Sequence, residues 1–217
     1  MILKQKKIYF NMKENTPNII LIYPSDFPDD IIKYEVIDFV SANLNIAIQK
    51  NKNVPYAAFE WIIPTAFGVY ILKPYFESFL SEMGKDHFSF LKQGLKKFID
   101  KGKQFKFTLH AATLSSNKLS GTYNQSSSVS IIFQTTNNKQ IKLLFDDEMK
   151  IEEWESAIDE LFEYLIENYE LFPNDKLTQL INDKTEKEYD VIYGIINPIS
   201  KHIEFYNGKD LRLKYKQ

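Results

Sequence analysis

Apolar residues recur along the chain at two different spacings, and each change of spacing marks a place where strand gives way to helix. Ile19 to Ile22 form a continuous apolar run between Pro17 and Pro24; with residues 6–12 they predict two strands, the second buried on both faces. Ser25, Asp26, Asp29 and Asp30 then supply helix-start chemistry, and Ile32, Val36, Phe39 and Val40 share one helix face. Leu44, Ile46 and Ile48 alternate as a strand does, so 18–50 reads as strand, helix, strand, with one long strand over 34–50 as the alternative.

The middle of the chain has a different character. Residues 57–80 are nearly all apolar, from Ala57 and Trp61 through Phe67, Val69 and Ile71 to Phe79 and Leu80, with Glu60, Lys73 and Glu77 as the charges. A helix is expected there, kinked or split at Pro64 and Pro74, each of which lacks a backbone donor. Gly84 is a candidate C-cap ahead of a second helix over about 86–100, with Phe88, Leu91, Leu95 and Phe98 on one side.

Sheet returns with the alternation of Phe105, Phe107 and Leu109 against Lys106 and Thr108. After a polar loop at 114–126, segments 128–135 and 140–145 flank Asn137-Asn138, a hairpin signal. The strongest helical pattern lies at about 149–170, where Ile151, Trp154, Ile158, Leu161, Leu165 and Tyr169 recur every three or four residues among acids. A short helix near 175–183, a hairpin of 189–196 and 201–206 around Pro198, and a lysine-rich tail complete the reading. The expectation is one α+β domain over 1–217, built on a mixed sheet, with a helical pair at about 57–100 and an acidic amphipathic helix at about 149–170. Residues 57–101 are readable as a helical insertion between sheet segments. Trp154, Ile158, Leu161 and Leu165 form an apolar stripe that must be covered.

Composition narrows the chemistry. A 25.5 kDa chain with 44% hydrophobic residues can bury a full core without staples. The balance of 27 basic against 29 acidic residues removes the overall basic signature of a nucleic-acid binder. Zero cysteines exclude disulfides, thiol catalysis and iron–sulfur sites. Arg212 is the single arginine, so clusters of guanidinium groups are excluded as well. The abundance of Lys, Ile, Asn, Phe and Tyr points to an AT-rich, bacterial source, and the absence of a signal-like apolar run before Asn15 points to the cytoplasm.

The three histidines, His87, His110 and His202, follow no zinc-ligand spacing. Lys85-Asp86-His87 stands at a helix start, where backbone N–H groups favour anions, although Asp86 there is equally a cap. His110 falls on the polar side of its strand. Glu148-Met149-Lys150, after Asp146 and Asp147, resembles half of a metal-dependent nuclease pattern, but no acid lies between Asp100 and Asp146 to complete it. The same acids suit a helix N-terminus. Phosphate-binding glycine loops and the serine nucleophile elbow do not occur. No catalytic residue, metal ligand or cofactor is therefore expected.

Charge is segregated: Asp146 to Glu170 holds eleven acids and one lysine, whereas Lys85 to Lys118 holds eight lysines and two aspartates. The simplest reading is that each run solvates its own helix; the alternatives are that the two helices lie side by side, or that the charge steers a partner. The expected function is a cytoplasmic bacterial interaction module of immunity, defence-accessory or adaptor type. It would bind another protein, of basic character, through Glu152, Glu155, Asp159, Glu163 and Glu167. A membrane-active effector is the first alternative, inserting an apolar helix at 57–80 with Lys85, His87, Lys92, Lys96 and Lys97 meeting anions or lipid headgroups. A metal-dependent nuclease is the second, distinguished by acids converging near Lys150 or His110.

Overall fold

The computed structural model describes residues 17–25, 27–28, 45–51, 65–78, 84–105, 124–184 and 191–215, without the side chains of 51, 78 and 84–87. The strand expected at 6–12, the helix through Ile32 and Val40, and residues 57–64, 79–83 and 106–123 lie outside the described residues. In chain order the elements are β1 (Ile19–Pro24), β2 (Ile46–Asn51), β3 (Phe67–Ile71), α1 (Lys73–Ser78), α2 (Gly84–Gln104), β4 (Gln125–Gln134) and β5 (Gln140–Asp146). They continue with α3 (Ile151–Leu171), α4 (Lys176–Ile181), a 3-10 turn (Asn182–Lys184), β6 (Val191–Ile196), β7 (Ile203–Asn207) and α5 (Gly208–Lys214). All the strands join one mixed sheet in the order β2-β1-β3-β4-β5-β6-β7. The fold is α+β.

Alternation along the strands assigns each residue to a face. Ile19, Leu21, Val69, Ile71, Val129, Ile131, Phe133, Ile141, Leu143, Phe145, Ile192 and Phe205 share a core with Leu91, Leu95 and Ile99 of α2 and the apolar stripe of α3. Trp154, Ile158, Leu161 and Leu165 are fully buried in it. Each contributes about 1.5–3 kcal/mol by leaving water. The opposite face carries α5, where Leu211 covers Leu144, Tyr193 and Ile195.

The pairs β3–β4 and β5–β6 are both parallel, but β4 and β5 run antiparallel. Their connecting helices, α2 and α3, lie on the same face and step the same way across the sheet.

One expectation needs correction. Residues 57–80 are not one helix: Phe67–Ile71 is a strand between β1 and β4. A strand of five apolar residues buried on both faces has no periodicity to set it apart from a buried helix. Pro74 then falls in the first turn of α1, where a missing N–H costs nothing. The lysine-rich tail, to which the spacing assigned no element, contains α5. Asn207 caps α5 by accepting from the Asp210 N–H at 2.8 Å, a motif legible in the sequence as Asn-x-x-Asp. The hairpins are as expected, with Asn138 at a φ of 62° in the β4–β5 turn.

Lys142 lies on the second face at 4% exposure, in a row of cross-strand neighbours running Ile20, Tyr70, Ile132, Lys142, Tyr193, Tyr206. Burial pulls its amine down to about 7 from 10.5. Between those two values the folded chain binds fewer protons than the unfolded one, so stability rises with pH; this contribution is lost as pH falls through the folded value. Lys142→Met is expected to be more stable than wild type at pH 7 and to flatten a slope that approaches about 1.4 kcal/mol per pH unit. Chemical denaturation at several pH values from neutral upward measures it; an unchanged slope in the variant would place the titration elsewhere.

Gly102 marks the closest approach of α2 to the sheet, since a Cβ there would stand 2.8 Å from Cβ of Val129. Gly102→Ala should therefore destabilise by about 1–3 kcal/mol despite the better helix propensity of alanine. In a double-mutant cycle the cost should shrink when Val129 is also glycine, which removes the Cβ that the new methyl group meets. A neutral Gly102→Ala would contradict the close approach.

Candidate functional site on the acidic helix

With its apolar stripe against the sheet, α3 distributes its acids over three outward directions. At 100° per residue, Glu152, Glu163 and Glu170 align on one ridge within about 20° of each other. Glu155 and Asp159 fall to one side, toward α2, and Glu153, Glu160 and Glu167 to the other, toward the β6–β7 turn and α4.

The side facing α2 is an ion-pair ladder. Lys92 Nζ lies 2.5 Å from Asp159 Oδ1, and Lys96 Nζ lies 2.9 Å from Asp159 Oδ2 and 3.7 Å from Glu155 Oε2. Burial works to raise the Asp159 carboxyl, but hydrogen bonds from Lys92 and Lys96 outweigh it and hold the group below its ordinary value. The opposite charge runs of the two helices therefore meet each other here, instead of each solvating its own face.

The other side is pinned by the β6–β7 turn. Lys201 Nζ is 2.9 Å from Glu153, whose carboxyl is lowered chiefly by that hydrogen bond. Glu160 accepts from the Tyr164 hydroxyl at 2.7 Å and from the Ile203 N–H at 3.2 Å, with His202 Nδ1 at 3.4 Å. Burial and the Glu160 carboxylate together push the Tyr164 hydroxyl up to about 12. Glu167 accepts from the Lys176 N–H at 3.3 Å, tying α4 to α3.

Of the five acids expected to meet a partner, Asp159 and Glu155 are thus engaged by lysines of the same chain, and Glu167 by the start of α4. Glu152 and Glu163 are exposed on the ridge, where Glu170, not among the expected five, joins them. Its signal was present in the sequence as the i+7 position from Glu163.

The lysine set fares differently. Lys92 and Lys96 point into the ladder, and the side chains of Lys85 and His87 lie outside the described residues. Lys97 belongs to α2 and also makes an interaction of its own. The continuous helix expected at 57–80 is interrupted by β3, whose Phe67, Val69 and Ile71 are buried in the sheet. Among the described residues no helix is long and apolar enough to cross a membrane.

At the end of β5, Asp146 is buried and accepts from Asn124 Nδ2 and, at 2.8 Å, from the Glu148 N–H, while its carbonyl accepts from Trp154 Nε1 at 2.8 Å. Burial raises its carboxyl above the ordinary value. Lys103 reaches the same corner, donating to the Met149 carbonyl with its ammonium 4.1 Å from the centre of the Trp154 ring. Lys150 serves as the N-cap residue of α3. Among the described residues no three His, Asp or Glu side chains come together as a metal site, and His110 lies outside them. The convergence that a nuclease centre requires is not seen near Lys150.

No family model matches the chain, and neither does any curated protein or solved structure compared with it.

Because Asp159 is shared by two lysines, Asp159→Asn should cost about 1 kcal/mol at low salt and less as ionic strength rises. Its depressed pKa gives stability that is present above the ordinary carboxylate value, 3.8, and lost as pH falls below it. The variant should lose that portion of the acid transition. Thermal melts at two salt concentrations and several acidic pH values check both statements.

Proposed function

We propose that the chain is a protein-interaction module that docks a basic partner on the outward ridge of α3. One observation carries this reading. Among the described residues, no hydrogen bond or ion pair reaches the carboxylates of Glu152, Glu163 and Glu170, whereas every flanking acid of the helix is matched by a donor of the same chain. The ridge acids are separated by roughly 16 Å and 10 Å along the helix, at 1.5 Å per residue, a span suited to successive cationic side chains on an extended or helical segment. Carboxylates left in water at a rigid helix surface favour fast, salt-dependent association more than raw affinity. A cytoplasmic bacterial module of immunity, defence-accessory or adaptor type is the form of this reading that the composition favours, with binding and not catalysis as the activity.

The triple variant Glu152→Lys, Glu163→Lys, Glu170→Lys tests it. Folding should be retained, because none of the three is engaged internally. Association with the native partner should slow by about tenfold or more at low salt, and the dependence of the rate on ionic strength should weaken. Unchanged association kinetics would remove the ridge from the interface.

A further inference from the structure

The connection between β6 and β7 places an isoleucine in water. Ile199 is 91% exposed, against 60% for Leu213, the next most exposed of the large apolar residues described. Turn positions are ordinarily filled by Gly, Pro, Asn, Asp or Ser, and a β-branched residue is poorly suited to them. Its neighbours do follow turn chemistry, and they hold the turn firmly. Asn197 Oδ1 accepts from the N–H groups of Ile199 at 2.8 Å and Ser200 at 3.0 Å, and Asn197 Nδ2 donates to Glu204 at 2.7 Å. The Asn197 N–H donates to the His202 carbonyl at 2.9 Å, and Lys201 takes a φ of 62° to close the turn. The Lys201–Glu153 pair and the Ile203 N–H bond to Glu160 fasten it to α3. An apolar side chain presented on so constrained a turn departs from local sequence rules with no gain inside the molecule, which is where function is to be sought. Little freedom remains to be lost when such a residue is covered, the condition that favours a binding hot spot.

The surroundings indicate what covers it. The turn lies against the N-terminal half of α3 through Glu153 and Glu160, and the ridge offers Glu152 in that half and Glu163 beyond it. We propose that Ile199 is the apolar anchor of the docking surface, and that the partner is a protein presenting an apolar pocket flanked by lysine or arginine side chains. This rests on the docking reading above and adds to it the residue that holds the complex together. The acids then govern the rate of encounter and Ile199 the lifetime of the complex.

The test uses the full chain carrying the photo-crosslinking amino acid p-benzoylphenylalanine at position 199, expressed in the organism that encodes it, with the same substitution at Leu213 as control. A single protein should cross-link from 199 and not from 213. That protein, purified, should bind Ile199→Ser at least about tenfold more weakly than wild type, through faster dissociation, and the charge-reversed ridge variant through slower association. Ile199→Ser should melt like wild type, because the side chain touches so little. Tight binding by Ile199→Ser alongside a weakened ridge variant would overturn the anchor while the ridge reading survives. A weakened Ile199→Ser with an unaffected ridge variant would overturn the basic partner instead. Absence of any cross-link specific to 199 would overturn the proposal.

Discussion

The burial of a single apolar stripe on α3 sets the position of almost every group with chemical interest. Trp154 stacks on Phe145 with ring centroids 4.7 Å apart, and Phe162 meets Phe133 edge-on at 5.3 Å and Phe88 at 4.6 Å. That one helix face therefore touches β4, β5 and α2 together, and Tyr169 extends it by stacking on Phe76 of α1. Once the stripe is committed to the sheet, the rotation of α3 is determined. Every acid on it is assigned to α2, to the β6–β7 turn, to α4 or to solvent by its angle from the stripe and its place along the helix.

The far end of the stripe is polar, and it is satisfied. Asn168 is buried, yet its Nδ2 donates to Asp175 at 3.0 Å and to Thr178 at 3.1 Å, while its Oδ1 accepts from the Thr136 N–H at 3.0 Å. Burial would raise the Asp175 carboxyl, but the hydrogen bonds of Thr178 and Asn168 prevail and keep it below the ordinary value. The network joins the end of α3, the cap of α4 and the β4–β5 turn, so a buried carboxylate here stabilises a junction instead of marking a reactive site. Lys142 on the opposite face shows the contrary balance, in which burial prevails over ionisation.

The acidity of α3 has two roles that net charge alone does not separate. Glu155 and Asp159 neutralise Lys92 and Lys96 and bind the two helices, so these four charges are balanced within the molecule. Among the acids of α3, the ridge through Glu152, Glu163 and Glu170 is exposed, and the turn that presents Ile199 is fastened to the same helix through Glu153 and Glu160. In the docking reading proposed above, the first supplies a charged approach and the second an apolar point of contact.

The sequence by itself determined the elements whose residues repeat with a clear period. The stripe of α3, the β4–β5 hairpin around Asn138 and the strand through Ile19 to Ile22 were legible because local spacing matches local geometry. It misassigned Phe67–Ile71 to a helix, because a short strand covered on both faces has no polar alternation to reveal its period, and it passed over α5, whose only buried anchor is Leu211. The candidate site was legible in half. Periodicity placed the acids on one helix, but the division between Asp159 in its ion pairs and Glu163 in solvent depends on where α2 lies, and sequence spacing carries no information about that. Nor does spacing reveal that Ile199 stands uncovered. Contact between segments distant in the chain is decided only when helix stripes and sheet faces come together, and the tertiary structure alone decided which charges face a neighbour and which face water.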